Sequence, residues 1–293
     1  KAGVIGMVAS FVARVPVRLH TVAGLPLMEA VGLKRVVLNF VEKLTYSCST
    51  KVYPNSFGLK NIILKNRFTT EDKLRVIGIG SSNGIDTSYF DPKLFSSKEK
   101  NKLKSELGIE GNDFVFIFVG RLVADKGINE LVEAFNELCL NLKGIKLLLV
   151  GPLEDELDPL SKKTKLLISS QDKIISVGYQ NDVRPFIAIS NSLVFPSYRE
   201  GFPNVVCEGL ALGITVFASK VCDHPIIITE GDNGYLFDLN NVKELADKIT
   251  LHIRKEEAEK QSMLTNARNF AESQFSFDKM INTYEGLLLD RLK

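Results

Sequence analysis

From residue 113 onward, short apolar runs alternate with stretches in which apolar residues recur every three or four positions. The runs predict strands at residues 114–119, 146–150, 173–177, 193–195 and 214–218, and a hairpin or edge strand at 234–237. The intervening stretches predict helices at residues 128–142, 157–169, 183–189, 203–212 and 242–255. Apolar strands that alternate with helices are typical of a parallel sheet covered on both faces. This part of the chain is therefore predicted to be a doubly wound α/β domain.

Residues 1–90 show a shorter alternation of the same kind. Helices are predicted at residues 2–13, 27–45 and 56–65, and strands at residues 17–21, 51–54 and 74–79. A doubly wound sheet usually has five or six strands, so this second α/β domain is expected to be truncated, with a missing segment before Lys1. The predicted domains are residues 1–92 and 93–275, separated at the Asp91-Pro92 step. A helix at 276–293 is expected to pack back toward the first domain.

Composition places the chain among soluble globular proteins. Of its 293 residues, 45% are hydrophobic and 25% are charged, which excludes fibrous, collagen-like and disordered chains. The four cysteines lie far apart, as in proteins of a reducing compartment, and a cytoplasmic location is expected. The longest apolar stretch, residues 2–13, is shorter than the ~20 residues that span a bilayer.

The net charge of +2 conceals an uneven distribution. Residues 1–70 contain ten Lys and Arg but only Glu29 and Glu42, a balance of +8, so the remainder carries −6. The overall balance gives no reason to expect a nucleic-acid partner. Two interpretations of the basic first quarter stay open. It is either attracted to an anionic membrane and a diphosphate-linked substrate, or it is a solvated basic surface without a partner.

The first candidate site follows the strand at 114–119. The segment Gly120-Arg121-Leu-Val-Ala-Asp125-Lys126-Gly127 joins that strand to a helix, and open α/β sheets bind ligands at such strand ends. Gly120 has no side chain to keep a ligand away. Arg121 offers a bidentate fork and Lys126 a point charge at a helix start, whose dipole favours anions. The segment is predicted to bind a diphosphate; alternatively, it is a solvated turn with ion pairs to Asp125.

The second candidate site is the segment Glu200-Gly-Phe-Pro-Asn-Val-Val-Cys-Glu208, after the strand at 193–195. Pro203 is predicted to be the first helical residue, where its missing N–H costs nothing. The free N–H groups of Asn204 and its neighbours would then point toward whatever Glu200 faces. Glu208 lies in an apolar helical stretch, where a buried acidic group needs a partner, and ribose hydroxyls would be one. The alternative is an ordinary exposed Glu on an amphipathic helix.

Together these segments resemble the retaining GT-B glycosyltransferases of family 4. The resemblance is carried by Gly120-Arg121-Leu122 with Lys126-Gly127, Gly178-Tyr179 with Asp182-Val183, Pro196-Ser197, Glu200-Gly201 with Glu208-Gly209, and the turn Gly231-Asp-Asn-Gly234. It covers essentially the whole chain. Residues 18–26 and 81–86 are similar to the subgroup that builds bacterial surface polysaccharides such as capsules and exopolysaccharides. The resemblance implies the GT-B fold, with two Rossmann-like domains.

The resemblance also implies roles for individual residues. Arg121 and Lys126 would hold the nucleotide diphosphate, and Glu200 would face the transferred sugar as a third catalytic residue. Glu208 would accept hydrogen bonds from the ribose. The amides of residues 201–204 would bind sugar hydroxyls and the β-phosphate, and the strand end at 178–180 would approach the base. The residues expected to bind the donor are Gly120, Gly178, Tyr179, Gly201, Phe202, Pro203, Asn204, Val205 and Glu208.

The chemistry is expected to need no metal and no cofactor. Cleavage of the C1–O bond creates an oxocarbenium-like sugar and a leaving diphosphate, whose charge Arg121, Lys126 and the helix dipole would stabilise. The sequence has no Asp-x-Asp triplet, the usual sign of a metal-bound diphosphate in the other major glycosyltransferase fold. Cys222 and His224 are too few for a zinc site, which needs three or four ligands.

Two places depart from the family pattern. The His-Gly pair that often follows the strand at 17–21 is Ala23-Gly24 here. The nearest imidazole, His20, is expected to have a structural role; the alternative is that it replaces the His that contacts the donor sugar in the family. The segment Lys220-Val-Cys-Asp-His224 replaces a stretch that is usually rich in glycine, which leaves the sugar specificity open.

Three other motifs are incomplete or absent. Gly78-Ile-Gly80 lacks the third glycine of a dinucleotide fingerprint, since Asn83 stands in its place, and no P-loop motif is present. Gly80-Ser-Ser82-Asn-Gly84 has the letters of G-x-S-x-G, but no predicted helix follows, as a nucleophile elbow requires. An α/β hydrolase that uses Ser82 is therefore a remote alternative. The nearer alternative is a nucleotide-sugar-binding fragment without turnover.

The function predicted from the resemblance is sugar transfer with retention of configuration. The donor is expected to be a UDP-hexose or UDP-N-acetylhexosamine. The acceptor is expected to be a growing surface glycan on a polyprenyl diphosphate at the inner membrane face. The predicted partners are thus the donor, the lipid-linked acceptor and, peripherally, an anionic membrane, but no nucleic acid.

Overall fold

The computed structural model describes residues 2–28, 30–81, 83–156, 158–221 and 223–292. Its strands are β1 (Leu19–Val22), β2 (Lys51–Pro54), β3 (Phe114–Val119), β4 (Ile145–Val150), β5 (Ile174–Gly178), β6 (Ser192–Phe195), β7 (Thr215–Ser219) and β8 (Gly234–Phe237). Its helices are α1 (Ala2–Val12), α2 (Gly32–Cys48), α3 (Phe57–Lys65), α4 (Ser97–Glu106), α5 (Ile128–Asn141), α6 (Lys162–Ser170), α7 (Arg184–Ala188), α8 (Asn204–Ala211), α9 (His224–Ile227), α10 (Val242–Arg254), α11 (Glu257–Phe275) and α12 (Phe277–Leu292).

Contacts divide the chain into two units. The N-terminal unit holds Lys1–Gly84, Glu200–Phe202 and Phe277–Lys293, and the C-terminal unit holds Ile85–Arg199 and Pro203–Ser276. The C-terminal unit begins at Ile85, whereas the sequence predicts the boundary after residue 92. The reason lies in Arg268 of α11, whose guanidinium donates hydrogen bonds to the carbonyl oxygens of Thr87 at 2.8 Å and Phe90 at 2.6 Å. These bonds hold the connecting segment against the C-terminal unit.

The described strands of the C-terminal unit form one parallel sheet in the order β5-β4-β3-β6-β7-β8. Its central strands are buried on both faces, and Ile117, Leu148 and Val194 are inaccessible to solvent. The prediction of a doubly wound α/β domain is confirmed. The strand order reverses between β3 and β6, so the loops after these strands lie at the topological switch point of the sheet, where such folds bind ligands.

Two helices of the C-terminal unit begin later than the sequence predicts. Helix α6 begins at Lys162 rather than near residue 157, because Ser161 caps it by accepting a hydrogen bond from the N–H of Thr164 at 3.1 Å. Helix α8 begins at Asn204, and Pro203 stands one position before it with a non-helical ψ of 74°. The predicted edge strand is correct, since β8 pairs in parallel with β7 at the end of the sheet.

The N-terminal unit has a smaller sheet, in which the described strands β1 and β2 pair in parallel. Its core contains Leu27, Tyr46, Val52, Ile63 and Phe68. A second apolar cluster joins Tyr53 and Ile77 to Met280 and Leu287 of α12, so the last helix completes this unit.

The third strand predicted in this unit, at residues 74–79, is wrong. Only Leu74 forms a bridge, to Val52, and the N–H of Arg75 bonds to the carbonyl oxygen of Val52 at 3.1 Å. The chain then turns, because the N–H of Gly80 donates to the carbonyl oxygen of Ile77 at 3.0 Å. The helix predicted at 27–45 is also displaced, since residues 26–28 form a 3₁₀ turn and α2 begins at Gly32.

Helices α1 and α2 of the N-terminal unit pack against each other, yet both leave large apolar side chains exposed. Over the part of the chain that the structure describes, no helix is both long enough and apolar enough to cross a membrane.

Candidate functional site

Two loops of the C-terminal unit meet where β3 and β6 end. Gly127 closes the loop after β3, and a Cβ atom placed there would lie 1.9 Å from the carbonyl oxygen of Pro196, which follows β6. The N–H of Tyr198 donates to the carbonyl oxygen of Asp125 at 3.0 Å and joins the same two loops. The first candidate segment therefore lies directly beside the chain that enters the second.

The loop after β3 is also packed tightly against the end of β4. The N–H of Gly120 donates to the carbonyl oxygen of Val150 at 2.9 Å. A Cβ atom on Gly151 would lie 1.8 Å from the carbonyl oxygen of Gly120. The backbone at the start of the predicted diphosphate-binding loop is thus fixed on both sides before any side chain is considered.

Arg121 and Lys126 lie on this loop, as the sequence predicts. The guanidinium of Arg121 is half-exposed and forms an ion pair with Glu154 at 3.1 Å. Lys126 ends a 3₁₀ turn just before α5, and its ammonium lies 5.9 Å from the centroid of the Phe195 ring. Two cations thus stand at the carboxyl edge of the sheet, one of them beside a helix start that favours anions. Their binding of a diphosphate stays a prediction.

The alternative interpretation of this loop is a solvated turn with ion pairs to Asp125. Asp125 does form an ion pair, and its partner lies in the loop after β6. The carboxylate of Asp125 accepts a hydrogen bond from the Nε of Arg199 at 2.8 Å. Its backbone N–H donates to the carboxylate of Asp158 at 2.6 Å. Asp125 therefore holds the loops after β3 and β6 together, a role that the sequence analysis missed because both partners are distant in the chain.

Tyr198 adds a second side-chain link between these loops. Its hydroxyl donates to the carboxylate of Glu130, in the first turn of α5, at 2.8 Å. Burial, together with the adjacent Glu130, raises the pKa of Tyr198 to about 12, so the phenol keeps its proton.

The start of α8 offers backbone donors at the same edge. The N–H of Val206 bonds to the carbonyl oxygen of Pro203 at 3.1 Å. The preceding amides, those of Asn204 and Val205, are in the first turn, where an α-helix has no internal acceptor for them. Asn204 is exposed and Val205 half-buried. Among the predicted donor-binding residues, Pro203, Asn204 and Val205 thus lie together at one helix start.

Glu208 lies one turn further along α8, between the buried residues Cys207 and Gly209. It is half-buried, and none of the described residues donates a hydrogen bond to its carboxylate or forms an ion pair with it. Burial raises the pKa of Glu208 to about 7 and also raises the pKa of the Cys207 thiol. A carboxyl group in this state can accept hydrogen bonds from a ligand that supplies hydroxyls.

The end of β5 lies at the same carboxyl edge of the sheet as the loop after β3 and the start of α8. The carbonyl oxygen of Gly178 accepts a hydrogen bond from the N–H of Gly151 at 2.9 Å, so β5 and β4 end side by side. The position of a Cβ atom on Gly178 is open space. The next side chain, Tyr179, is 69% exposed. The backbone here is accessible, as an approach by a base would require.

Glu200, Gly201 and Phe202 are grouped with the N-terminal unit. A Cβ atom on Gly201 would lie 2.4 Å from the carbonyl oxygen of Ala23, and one on Gly80 would lie 2.9 Å from the Phe202 ring. Phe202 is buried. The roles predicted for these three residues in catalysis and donor binding stay predictions.

The two histidines singled out in the sequence have different surroundings. The ring of His20 packs 5.8 Å from Tyr46, and a Cβ atom on Gly3 would lie 2.7 Å from its Cε1 atom. Burial lowers the pKa of His20, so this imidazole is a packed neutral group.

Two other residues considered in the sequence, Ser82 and Cys222, lie outside the described residues.

His224, in contrast, lies at the carboxyl edge of the sheet, just after β7. Its Nδ1 is 2.7 Å from the carbonyl oxygen of Ser219, and its ring contacts Phe195 edge to face. Burial, aided by Lys126, lowers its pKa to about 4 against the effect of the Ser219 hydrogen bond. A neutral imidazole therefore lies beside the predicted cationic loop. The described residues contain no group of three or more His, Cys, Asp or Glu that could hold a metal ion.

A family model for glycosyl transferases group 1 matches residues 99–270, which include the loop after β3, the end of β5 and the start of α8. The chain belongs to this family. It is 33% identical over 292 residues to the capsular polysaccharide biosynthesis glycosyltransferase CapM of Staphylococcus aureus, covering 97% of this chain and 75% of that protein. It is 25% identical to the UDP-Gal:alpha-D-GlcNAc-diphosphoundecaprenol alpha-1,3-galactosyltransferase of Escherichia coli, covering 99% of this chain and 73% of that protein.

Solved structures agree on the fold of this group 1 glycosyltransferase. HepE of Anabaena in complex with UDP and glucose superimposes with a TM-score of 0.81 at 22% identity, over 98% of this chain and 75% of that one. WaaG, a glycosyltransferase involved in lipopolysaccharide biosynthesis, gives a TM-score of 0.72 at 18% identity, over 90% of this chain and 73% of that one. The expected GT-B fold is confirmed.

Proposed function

We propose that this glycosyltransferase moves a hexose or N-acetylhexosamine from a UDP donor to a growing surface glycan carried on a polyprenyl diphosphate. The observation that carries the proposal is the carboxyl edge of the C-terminal sheet. There Arg121 and Lys126 share one loop, and α8 offers its first amides and Glu208, which has no hydrogen-bond or ion-pair partner among the described residues. The names of the relatives support the biological setting, because one acts in capsule biosynthesis and another on a diphosphoundecaprenol-linked sugar. We propose a cytoplasmic location with peripheral contact to the membrane.

The proposed reaction retains the configuration at the transferred sugar carbon. The bond between C1 and the β-phosphate oxygen breaks, and a bond from C1 to the acceptor oxygen forms on the same face. The leaving diphosphate takes the electron pair of the broken bond, and its β-phosphate oxygen accepts the proton that the acceptor hydroxyl gives up. Arg121 and Lys126 stabilise the charge that grows on this diphosphate, which is an electrostatic task that two fixed cations can perform without a metal.

A donor screen tests the proposal. The protein is incubated with UDP- and GDP-linked hexoses and N-acetylhexosamines and a polyprenyl-diphosphate-linked sugar, and products are detected by mass spectrometry. We expect transfer from a UDP sugar, with an α-linked product from an α-linked donor by NMR. A UDP-dependent rise in unfolding temperature without transfer from any donor would instead support the nucleotide-sugar-binding alternative. Absence of both responses would exclude both functions.

Glu208 predicts a specific pH dependence of UDP binding. Hydroxyl groups of the ribose donate to an ionised carboxylate, whereas the pKa of about 7 leaves Glu208 largely protonated at pH 6. Binding must then release a proton, so the affinity for UDP is expected to rise about tenfold between roughly pH 6 and pH 8. Calorimetric titration at several pH values measures this rise.

The control is Glu208→Gln, which keeps the shape of the side chain and removes its titration. It is expected to bind UDP about tenfold more weakly at pH 8, because a charge-assisted hydrogen bond is lost. The UDP phosphate also titrates near pH 6, but it does so with both proteins. The difference between the two curves therefore isolates Glu208, and parallel curves would contradict its role at the ribose.

A further inference from the structure

A cavity of about 350 Å³ lies at the amino ends of β3, β6 and β7 in the C-terminal unit, and we call it the amino-edge cavity. Phe114 begins β3, Asn191 directly precedes β6 and Thr215 begins β7, and these residues line the cavity. The six residues of β3 span roughly 20 Å, so the cavity is far from the loops at the carboxyl edge of the sheet. Its volume is in the range of sites that bind small molecules.

Two lysines from different helices line the amino-edge cavity. Lys100 of α4 and Lys260 of α11 are both half-buried, and no described residue forms an ion pair with Lys100. Lys260 has one long ion pair, at 3.8 Å, with the carboxylate of Glu257. This carboxylate is 73% exposed and also accepts a hydrogen bond from Nε2 of Gln261 at 3.1 Å. Glu257 is the one acidic residue among the described residues of the lining, so positive charge exceeds negative charge there.

His252 of α10 lines the same cavity and is only 3% exposed. Its Nδ1 lies 3.5 Å from the hydroxyl of Tyr235, and no described residue forms a hydrogen bond with its Nε2. Burial, aided by Lys260 and Lys255, lowers the pKa of His252 to about 4 against the effect of Glu257. A neutral imidazole with one unbonded nitrogen can donate or accept a further hydrogen bond.

Asn191 and Ser190 add two further polar groups whose positions are fixed by the protein. The Oδ1 of Asn191 accepts a hydrogen bond from the N–H of Val115 at 2.8 Å, so its amide nitrogen is left as a donor without a partner among the described residues. The buried hydroxyl of Ser190 donates to the carbonyl oxygen of Phe186 at 2.8 Å, so its oxygen is left as an acceptor. The lining therefore suits a ligand that combines an anion with hydroxyl groups.

We propose that the amino-edge cavity binds a small phosphate monoester that carries hydroxyl groups. Lys100 and Lys260 pair with the phosphate, which carries nearly two negative charges at neutral pH, and Asn191 donates to it. The start of α11 adds the positive end of a 19-residue helix, which no described side chain caps. The hydroxyl groups of the ligand bond to Ser190 and His252. A metal cation is a poorer occupant, because the lining sets a single carboxylate against two lysines.

NMR titration of the full chain with glycerol 3-phosphate tests the proposal. We expect the side-chain amide signals of Asn191 and Gln261 to shift with one dissociation constant, while the backbone amides of Gly120 and Gly178, at the carboxyl edge, stay in place. Inorganic phosphate is expected to bind about fivefold more weakly, because it lacks the hydroxyl groups that bond to the protein. Glycerol, which lacks the charge, is expected not to bind.

Three outcomes of this titration would overturn the proposal. Equal affinity for inorganic phosphate and glycerol 3-phosphate would show a site for the ion alone. Equal affinity for glycerol and glycerol 3-phosphate would show that the lysines do not contribute. Shifts confined to Gly120 and Gly178 would place the probe at the candidate site instead.

Charge variants test the same site with opposite expected signs. Lys100→Ala and Lys260→Ala are each expected to bind glycerol 3-phosphate about tenfold more weakly. Glu257→Gln is expected to bind it about two- to fivefold more tightly, because Lys260 loses its competing carboxylate. The matched control is Lys102→Ala, which removes a lysine of α4 that pairs with Glu106 at 3.8 Å outside the cavity, and it should change nothing. Equal loss in Lys102→Ala and Lys100→Ala, or weaker binding by Glu257→Gln, would contradict the assignment.

UDP affinity distinguishes this inference from the proposed function. The cavity variants are expected to bind UDP like the parent protein, because their substitutions lie at the opposite edge of the sheet. Arg121→Ala is expected to bind glycerol 3-phosphate like the parent protein for the same reason. UDP binding without glycerol 3-phosphate binding by the parent would refute the amino-edge site alone, whereas the reverse result would refute the proposed function and support this site.

Discussion

Replacing Arg121 or Lys126 by Ala is expected to lower the turnover number for sugar transfer by about 10²–10³-fold. In the proposed reaction each cation stabilises the negative charge that grows on the leaving diphosphate, so its loss is expected to act mainly on the transition state. The ion pair of Arg121 with Glu154 is partly exposed, and such pairs contribute at most about 1 kcal/mol to stability. Steady-state transfer assays, with urea denaturation as a check on folding, would therefore show a loss of activity in a stable protein.

Two control variants test whether the position of the cation and the shape of the arginine side chain matter for turnover. Lys163→Ala removes a surface lysine of the same unit, which pairs with Glu133 at 2.9 Å, and is expected to leave turnover unchanged. Arg121→Lys keeps the charge but loses the bidentate fork, so an intermediate loss is expected. Near-normal turnover in both alanine variants would refute the assignment of the diphosphate site.

Gly127→Ala is expected to lower the free energy of unfolding by about 4 kcal/mol. The residue has a φ of +70°, which costs an L-amino acid roughly 1–2 kcal/mol. Its Cβ atom would also lie 1.9 Å from the carbonyl oxygen of Pro196, and overpacking of this kind adds about 1–3 kcal/mol. Urea denaturation would show a lower midpoint, because the loops after β3 and β6 must separate to make room.

Gly178→Ala separates the two causes. Gly178 has a similar φ of +66°, but apart from its chain neighbours no heavy atom of the described residues lies within 4 Å of the position of its Cβ atom. Only the backbone cost of about 1–2 kcal/mol is expected there. If the two variants lost the same free energy of unfolding, the close approach of Gly127 to Pro196 would not be the cause.

The sheet of the C-terminal unit could be predicted from the sequence because its strands carry their signal locally. Strands such as β3 are apolar from end to end and stop at a glycine, which is the pattern of a parallel strand buried on both faces. Residues 74–79 carry a similar apolar pattern, but a strand also needs a partner along its length. Only Leu74 has one, a fact that depends on the neighbouring chain rather than on the segment itself.

The loops that form the candidate site could be predicted from the sequence, but the contacts between them could not. Arg121, Lys126 and Glu208 are visible because each is a charged residue in a strand-to-helix connection or an apolar helix. The contacts that fix these loops were missed, since Asp125 finds its partners in Asp158 and Arg199, far along the chain. His224 was missed as a neighbour of Lys126 because nothing local shows that α9 begins beside Phe195. Such information exists only once the strands are ordered in the sheet.

The position of β3 at the switch point affects how the C-terminal unit folds during synthesis. Phe116 of β3 pairs with Leu147 on one side and with Ser192 on the other, and Asn191 accepts a hydrogen bond from the N–H of Val115 at 2.8 Å. During synthesis β4 follows β3 soon, whereas β6 emerges only after two further helices and β5. Until then β3 has an open, apolar edge, which is a template for pairing with other chains. Truncation before residue 192 would therefore leave an aggregation-prone half-sheet rather than a smaller soluble domain.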